Sequence, residues 1–281
     1  MPAVAARLPG DRLHLQHGPI DLVIGADGPG REAAFAAAAR RFAPLLDELV
    51  AELPLLRSPA GGVRPVGPVA IRMADAVQTH CRRHFVTPMA AVAGAVADEV
   101  LASMVASGGL MRAYVNDGGD IAIHLAPGQA YRSGVAGLDA TALGAVTIRA
   151  GDGIGGIATS GRGGRSQSFG IADSVTVLAA TAAAADAAAT LVANSVDLPG
   201  HPAVSRTPAR LLQPDSDLGD RPVTVSVGPL SSDETAAALE RGLAEARAMQ
   251  AAGLIAGAAL FLRGAARVLA PVPKTEALCH A

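Results

Sequence analysis

One predicted helix of this sequence carries a single charged side chain in an otherwise small and apolar stretch. The segment TAAAADAAATLVAN places Asp186 among alanines, with Thr190 four residues later. A spacing of four residues puts both side chains on one face of an α-helix. Mg²⁺ would suit such a carboxylate, because it prefers oxygen ligands from carboxylates, hydroxyls and backbone carbonyls. The sequence therefore predicts either a magnesium site with Asp186 and Thr190 as ligands or the commoner alternative, an exposed Asp on a surface helix.

A run of five polar or glycine residues separates two apolar segments in the middle of the chain. The run NDGGD, residues 116–120, lies between the predicted strands 111–115 and 121–125. An Asn/Asp-Gly pair in that position first of all indicates a hairpin turn. A hairpin needs only two such residues, so carboxylates and amides remain beside glycines that let a ligand approach the backbone. We expect either a plain turn or part of a ligand site.

Residues 151–164, with the sequence GDGIGGIATSGRGG, contain seven glycines in fourteen positions. Successive backbone N–H groups in glycine-permitted conformations bind phosphate oxygens, and Arg162 and Arg165 would add charge-assisted hydrogen bonds. The segment formally fits GxGxxG, but residues 157–168 are too rich in Gly and Ser for the helix that a dinucleotide-binding fingerprint requires. A Walker A loop is excluded, since no Gly-Lys-Ser/Thr occurs. We expect a phosphate-binding loop or a flexible surface loop.

The histidines and cysteines form no recognisable metal motif. His80 and His84 stand four residues apart on a predicted helix beside Cys81, but no third zinc ligand follows at a familiar spacing. We expect a structural or surface role for them. His124 follows the NDGGD run and faces either a ligand or the core. Cys81 and Cys279 belong to no CxxC pair, so the sequence predicts no disulfide framework.

Composition excludes several classes of partner. Of the 281 residues, 50% are hydrophobic but only 2% are aromatic, and the net charge is −2. A single-stranded nucleic-acid binder needs aromatic stacking platforms, and a DNA or anionic-membrane binder needs a basic surface. The apolar run 251–262 is too short to span a bilayer, and the first residues lack a secretory signal. We expect a cytoplasmic protein with a small-molecule ligand and no nucleic-acid or membrane partner.

Mixed helices and strands must position these groups. The predicted helices are 31–53, with Pro44 as a candidate restart, and 70–85, 88–107, 179–196 and 232–250. The predicted strands lie in 13–24, 111–115, 121–125, 131–150, 174–178, 223–227 and 254–262. Because they alternate without a strict βαβ period, the sequence predicts an α+β fold. The Pro/Gly-rich stretch 57–68 is the best internal break. We nevertheless expect one domain over residues 1–281.

Three segments, taken in chain order, resemble the ApbE-like superfamily, whose best-known members are FAD:protein FMN transferases. Residues 92–98 followed by 114–121 resemble the family's Gly/Ala-rich helix and its strand ending in Asn-x-Gly-Gly-Asp. Residues 158–161 resemble its Thr-Ser-Gly stretch, and residues 174–190 resemble its last strand and metal-binding helix. Three such motifs in the same order are more specific than any one of them.

The resemblance implies an α+β fold of mixed helices and largely antiparallel sheets that binds FAD in one cleft, with Mg²⁺ near the diphosphate. Asp186 and Thr190 would be metal ligands, and Asp120 would be the catalytic residue. The reaction would be phosphoryl transfer, in which an acceptor hydroxyl attacks the diphosphate. The flavin- and phosphate-binding residues would be Asn116, Gly118, Gly119, Thr159, Ser160, Gly161, Arg162 and Arg165.

The chain also departs from the transferase pattern. The transferases usually carry a His followed closely by Asp-Pro between the Thr-Ser-Gly stretch and the final strand, whereas residues 162–173 contain no His. Their Lys-Gly before the Gly-Gly-Asp turn reads Ala93-Gly94 here. Two further hypotheses therefore stand: a non-catalytic flavin- or nucleotide-binding accessory protein, and an enzyme for a small anionic metabolite clamped by Arg162 and Arg165.

Overall fold

The structure of the protein, a computed structural model, describes residues 3–136, 142–164 and 166–271. The strands are β1 (Val4–Leu8), β2 (Arg12–His17), β3 (Ile20–Asp27), β4 (Arg112–Asp117), β5 (Asp120–Leu125), β6 (Ala130–Ala136), β7 (Ala142–Arg149), β8 (Gly156–Ser160), β9 (Ser174–Ala179), β10 (Val204–Pro208), β11 (Pro222–Val227), β12 (Gly257–Leu262) and β13 (Ala265–Leu269). The α-helices are α1 (Arg31–Phe42), α2 (Leu45–Ala51), α3 (Leu53–Leu56), α4 (Pro68–Gln78), α5 (Val92–Ala106), α6 (Ala182–Ser195), α7 (Ala209–Leu212) and α8 (Ser232–Ala251). A 3₁₀ turn at Pro88–Ala91 leads into α5.

Nine of the described strands form one sheet in the order β1-β2-β3-β4-β5-β8-β9-β12-β13. All neighbours in this sheet are antiparallel. The hairpins β6–β7 and β10–β11 pair separately. Helices packed on a largely antiparallel sheet confirm the predicted α+β fold.

The two faces of the large sheet are covered differently. Residues such as Val115, Ala122 and Ala158 belong to the main hydrophobic core, where α5 and α6 pack on the sheet. Ile121 and Ile157 alternate with them and join Ile148 of β7 in a second, smaller core. We call the face of the sheet toward the main core the helix face, and the face toward the smaller core the hairpin face. Alternation along each strand thus decides which side chains meet.

The main core includes residues on both sides of the predicted break at 57–68. Leu49 of α2 and Val69 of α4 both belong to it. The division of the chain into domains stays a prediction.

The glycine-rich segment contains an interior strand. The predicted loop over 151–164 is wrong for Gly156–Ser160, which forms β8 between β5 and β9. A Cβ atom on Gly156 would overlap the backbone of Thr181 and Ala182, where α6 begins. Glycine is required because another backbone passes close by, and composition alone does not distinguish that need from loop flexibility.

Several other boundaries differ from the sequence prediction. Helix α4 ends at Gln78 rather than at residue 85. The predicted helix 31–53 does restart at Pro44, where α1 has ended and α2 begins. The strands β1, β10 and β13 and helix α7 were not predicted. Each has five residues or fewer, too short for a clear periodic pattern.

Within the described residues, one helical run is long and apolar enough to cross a membrane by length and composition, Pro88–Ala106. Its α5 part packs against α1, α4 and α6 and against β4 and β5. Val96 and Val100 are fully buried there. Packing in the core accounts for its apolar composition.

Candidate functional site

The start of α6 is held against two glycines. An added Cβ on Gly94 of α5 would lie 2.7 Å from the backbone nitrogen of Ala183, and one on Gly156 would overlap Ala182. Side-chain atoms do not approach backbone so closely without displacing it. The two glycines therefore fix the helix that carries Asp186 relative to α5 and β8.

Asp98 of α5 completes the N-terminus of α6. Its carboxylate oxygens accept the N–H groups of Ala182 at 3.0 Å and Ala183 at 2.9 Å. The first N–H groups of a helix have no partner within it, and a negative charge there is favoured by the helix dipole. Burial nevertheless raises the pKa of Asp98, against the lowering effect of these bonds and of Arg72. No sequence motif had indicated a role for Asp98 of its own.

Asp186 of α6 in turn caps the N-terminus of α5. Its Oδ2 accepts the N–H of Gly94 at 3.1 Å, and the N–H of Ala93 also hydrogen-bonds its carboxylate. Burial raises the pKa of Asp186 well above its ordinary value, and the nearby charges of Asp120 and Asp117 raise it further, against the two N–H bonds. Asp186 is therefore half-buried and close to negative charge, unlike an Asp on an ordinary surface helix.

Asp117 and Asp120 stand opposite one another across the β4–β5 hairpin. Only Gly118 and Gly119 lie outside the strands, so the NDGGD run forms a two-residue hairpin turn. Asp117 is buried. Asp120 Oδ1 accepts the N–H of Thr159 from β8 at 3.1 Å. The carboxylate of Asp120 therefore bridges β5 and β8 just beyond the point where their backbone pairing ends.

A cavity of about 260 Å³ opens beside these carboxylates, and we call it the acidic cavity. Asp120, Asp186 and Thr190 line it together, along with Asp217. None of the described residues that line it is Arg, Lys or His. The Oγ1 of Thr190 lies 3.5 Å from the Oγ of Ser160. The predicted metal ligands Asp186 and Thr190 thus line the same cavity as the predicted catalytic residue Asp120, next to the end of β8.

A second cavity of about 470 Å³ lies on the hairpin face, and we call it the hydroxyl cavity. Its lining includes these predicted ligand-binding residues: Asn116, Gly118, Gly119, Thr159 and Ser160. The predicted residues divide between two cavities because successive side chains on a strand point to opposite faces. Ser160 connects the two, since it lines the hydroxyl cavity and contacts Thr190 of the acidic cavity.

Hydrogen bonds within the hydroxyl cavity order most of its polar groups. Asn116 Oδ1 accepts the N–H of Gly119 at 2.8 Å within the hairpin turn. The hydroxyl oxygens of Thr159 and Thr176 are 2.8 Å apart across β8 and β9. The buried hydroxyl of Ser174 has no hydrogen-bond partner among the described residues. An unpaired buried hydroxyl is costly, which suits a site that receives a polar ligand.

The remaining predicted phosphate-binding residues that the structure describes line neither cavity themselves. The guanidinium of Arg162 donates to Asp173 with N–O distances of 3.0 and 2.6 Å. Gly161 packs against the backbone at Asp173, and neither Gly161 nor Arg162 lines the two cavities. Arg165 lies outside the described residues.

The histidine pair forms a separate cluster. His84 Nε2 lies 3.0 Å from Glu245 Oε1, and burial lowers the pKa of His80. Cys81 donates a weak hydrogen bond to the carbonyl of Gln78. No group of three or more His, Cys, Asp or Glu residues in the described part of the chain has the geometry to hold a metal by itself. The contacts agree with the structural interpretation, and His124 lines neither cavity.

Comparison with known sequences decides the family. The family described as "AbpE bacteria" matches residues 5–268. The chain belongs to this family. The match spans both cavities and every predicted site residue, and it confirms the ApbE-like resemblance of the sequence motifs.

Two relatives match parts of the chain. A UPF0280 protein of Methanothermobacter thermautotrophicus is 36% identical over 141 residues, which cover 47% of this chain and 50% of the relative. This chain thus spans about half the length of that relative. A UPF0280 protein of Methanopyrus kandleri is 34% identical over 178 residues, covering 62% of this chain and 69% of its own.

A solved structure supports the architecture. The ApbE protein of Thermotoga maritima aligns with 92% of this chain and 96% of its own at a TM-score of 0.52 and 11% identity. At that identity the similarity shows the ApbE-like fold alone.

Proposed function

We propose that the protein binds FAD, or a related nucleotide diphosphate, together with Mg²⁺ at the acidic cavity, and cleaves the diphosphate there by phosphoryl transfer. The observation that carries this proposal is the convergence of Asp120 and Asp186 on one cavity, with Asp117 close enough to raise the pKa of Asp186. Family membership and the order of the sequence motifs support the same conclusion.

The charge of the acidic cavity argues for a bound cation. Among the described lining residues there are carboxylates but no Arg, Lys or His, so a diphosphate alone would be repelled. A divalent cation would convert that repulsion into attraction and favour the ionised form of Asp186. Carboxylate and hydroxyl oxygens suit Mg²⁺, which is usually held by one or two carboxylates, substrate phosphates and water. A Mg²⁺ site of this kind therefore needs only some of its ligands from the protein.

The size of the cavities is compatible with an extended ligand. The acidic cavity, at about 260 Å³, is below the range of roughly 300–1,000 Å³ usual for drug-sized ligands. A ligand as long as FAD would place its diphosphate beside Asp186 and continue past Ser160. The hydroxyl cavity, at about 470 Å³, would receive a polar portion through Asn116 and the threonine hydroxyls.

Each residue has a distinct part in the proposed reaction. Asp186 and Thr190 would hold the cation, which supplies charge neutralisation at the diphosphate oxygens when it is bound. Asp120, fixed by the N–H of Thr159, would accept the proton of the attacking hydroxyl. The oxygen of the attacking hydroxyl forms a bond to the phosphorus of the FMN half. The P–O bond between the two phosphates then breaks, and AMP leaves. With water as the attacking group, FMN is released; with a hydroxyl of another molecule, FMN is transferred.

The test is AMP release by the purified full chain incubated with FAD and Mg²⁺. We expect EDTA and Asp186→Ala each to abolish the release. Asp220→Ala is the matched control, because Asp220 is an exposed residue that pairs with Arg210 and does not line the cavity, and it should keep full turnover. Wild-type turnover no faster than that of Asp186→Ala would contradict catalysis.

A non-catalytic flavin- or nucleotide-binding protein is the second candidate. The lack of a His in residues 162–173 favours it. It predicts Mg²⁺-dependent quenching of FAD fluorescence with no AMP released. Absence of quenching at both low and high Mg²⁺ would contradict both candidates. The anionic-metabolite hypothesis has less support, because the charge of Arg162 is paired with Asp173.

A further inference from the structure

A third cavity, of about 480 Å³, lies on the hairpin face near the start of β2 and carries no part of the proposed reaction. Four arginines and both tyrosines of the chain line it: Arg12, Arg31, Arg112, Arg132, Tyr114 and Tyr131. We call it the arginine cavity. Asp186 and Thr190 line the acidic cavity, which lies on the other side of the sheet, the helix face.

The charges around the arginine cavity do not cancel. Arg31 pairs with Asp11 at 3.1 Å, and Arg112 pairs with Asp27. Arg12 donates only to the carbonyl of Pro9, and Arg132 makes no hydrogen bond or ion pair within the described residues. Two guanidinium groups therefore remain without a described carboxylate partner, in a chain whose net charge is −2.

The tyrosines give the cavity an aromatic wall. Gly25 of β3 lies under the ring of Tyr114, since an added Cβ there would stand 2.8 Å from the Tyr114 Cζ. The ring centroids of Tyr114 and Tyr131 are 5.5 Å apart and the rings are tilted by 45°. Burial, and to a lesser extent Tyr114, raises the pKa of Tyr131 to about 12. Its phenol therefore keeps its proton and can donate a hydrogen bond.

We propose that the arginine cavity binds a small phosphorylated aromatic molecule, with the phosphate on Arg12 and Arg132 and the ring against Tyr114 and Tyr131. A guanidinium presents several N–H donors in a fixed plane that matches phosphate oxygens. Aromatic rings pack favourably against one another in tilted or offset arrangements. The cavity volume lies within the usual range for small-molecule sites, roughly 300–1,000 Å³.

Uridine monophosphate is a suitable probe because it is not a fragment of FAD. The two tyrosines give only two sets of ring signals in a protein labelled with ¹³C-tyrosine. Titration should shift the signals of both, and the Tyr131→Phe variant assigns them. The Tyr114 signal is decisive, because Tyr131 also lines the hydroxyl cavity and Tyr114 does not. We expect uridine monophosphate to bind at least about tenfold more tightly than uridine or inorganic phosphate, since only it carries both groups.

Substitutions locate the site. Arg12 lines only the arginine cavity, so Arg12→Gln should weaken binding about tenfold, as should Arg132→Gln. Arg149→Gln, which removes an exposed arginine of the same hairpin that lines neither cavity, is the matched control and should bind like the wild type. Asp186→Asn should also bind normally, which separates this proposal from the proposed function. The proposal would be overturned if binding left the Tyr114 signal unmoved, if Arg12→Gln did not weaken binding, or if uridine monophosphate did not bind at all. Such a result would indicate solvated arginines only.

Discussion

Asp98 and Asp186 each cap the helix that carries the other. Asp98 on α5 accepts the N–H groups of Ala182 and Ala183 at the start of α6, and Asp186 on α6 accepts the N–H of Gly94 near the start of α5. The candidate metal ligand therefore occupies its position because the two helix ends depend on one another.

Removing the Asp98 carboxylate should destabilise the fold. Asp98→Ala leaves the N–H groups of Ala182 and Ala183 unpaired in a partly buried position, and we expect a loss of about 2 kcal/mol of unfolding free energy. Asp98→Asn, which keeps one acceptor oxygen, should lose less. Urea unfolding measures both. The control Asp220→Ala breaks an exposed ion pair and should change stability by less than about 0.5 kcal/mol. A loss for Asp98→Ala no larger than the control's would contradict this role.

Enlarging Gly94 should separate the helices. Alanine is favoured over glycine inside a helix by about 1 kcal/mol, so Gly94→Ala would be stabilising if no close contact existed. Because its Cβ would meet the backbone of Ala182 and Ala183, we expect instead a loss of about 3 kcal/mol. Gly134→Ala, at a glycine with open space around it, should have little effect. Thermal unfolding decides between the two signs.

Neutralising Asp186 should stabilise the protein while removing its response to Mg²⁺. Burial and the charges of Asp120 and Asp117 raise the pKa of Asp186, so its ionised form costs stability when no cation is bound. We expect Asp186→Asn to gain about 1 kcal/mol, or roughly 2–4 °C in melting temperature, in EDTA. Mg²⁺ should raise the melting temperature of the wild type and not that of the variant. An equal shift in both would exclude Asp186 as a ligand.

The first turn of α8 should make stability depend on acid pH. Glu234 accepts the N–H of Ser231 and contacts His201, and these interactions lower its pKa from 4.5 to about 2. A carboxyl whose pKa is lower in the folded state contributes stability that is present above the unfolded pKa. That contribution is lost as the pH falls from about 4.5 to about 2. The stability difference between wild type and Glu234→Gln should therefore shrink across this interval in urea unfolding. A constant difference would contradict the capping role of Glu234.

The sequence predicted the local features of the site better than its assembly. The spacing of Asp186 and Thr190 correctly placed them on one helix face, because a four-residue spacing on a helix is a local property. Asp98 received no role, since its partners lie 84 and 85 residues away and nothing near it in sequence indicates them. Asp117 was likewise given no role of its own, although its charge contributes to the raised pKa of Asp186.

The division of the site between two sheet faces illustrates the same limit. Asn116 and Asp117 are neighbours in sequence but line opposite faces of β4, so only the strand register decides which of them meets Asp186. Gly156 was assigned to a loop because glycine is common in loops. Its actual requirement, room for the start of α6, comes from an element 26 residues later in the chain. Such distant contacts leave no periodic signal.

The paired helix ends have a consequence for how the protein folds. Neither α5 nor α6 has a complete N-terminus until the other has packed against it, and the residues that join them are separated by 84 to 92 positions along the chain. Contacts of such long range form slowly, because the entropy of closing the intervening chain is lost before the contact stabilises anything. A partly folded chain would hold neither Asp186 nor its surroundings in place. The cation binding proposed there should therefore appear together with the native state, in a single cooperative step.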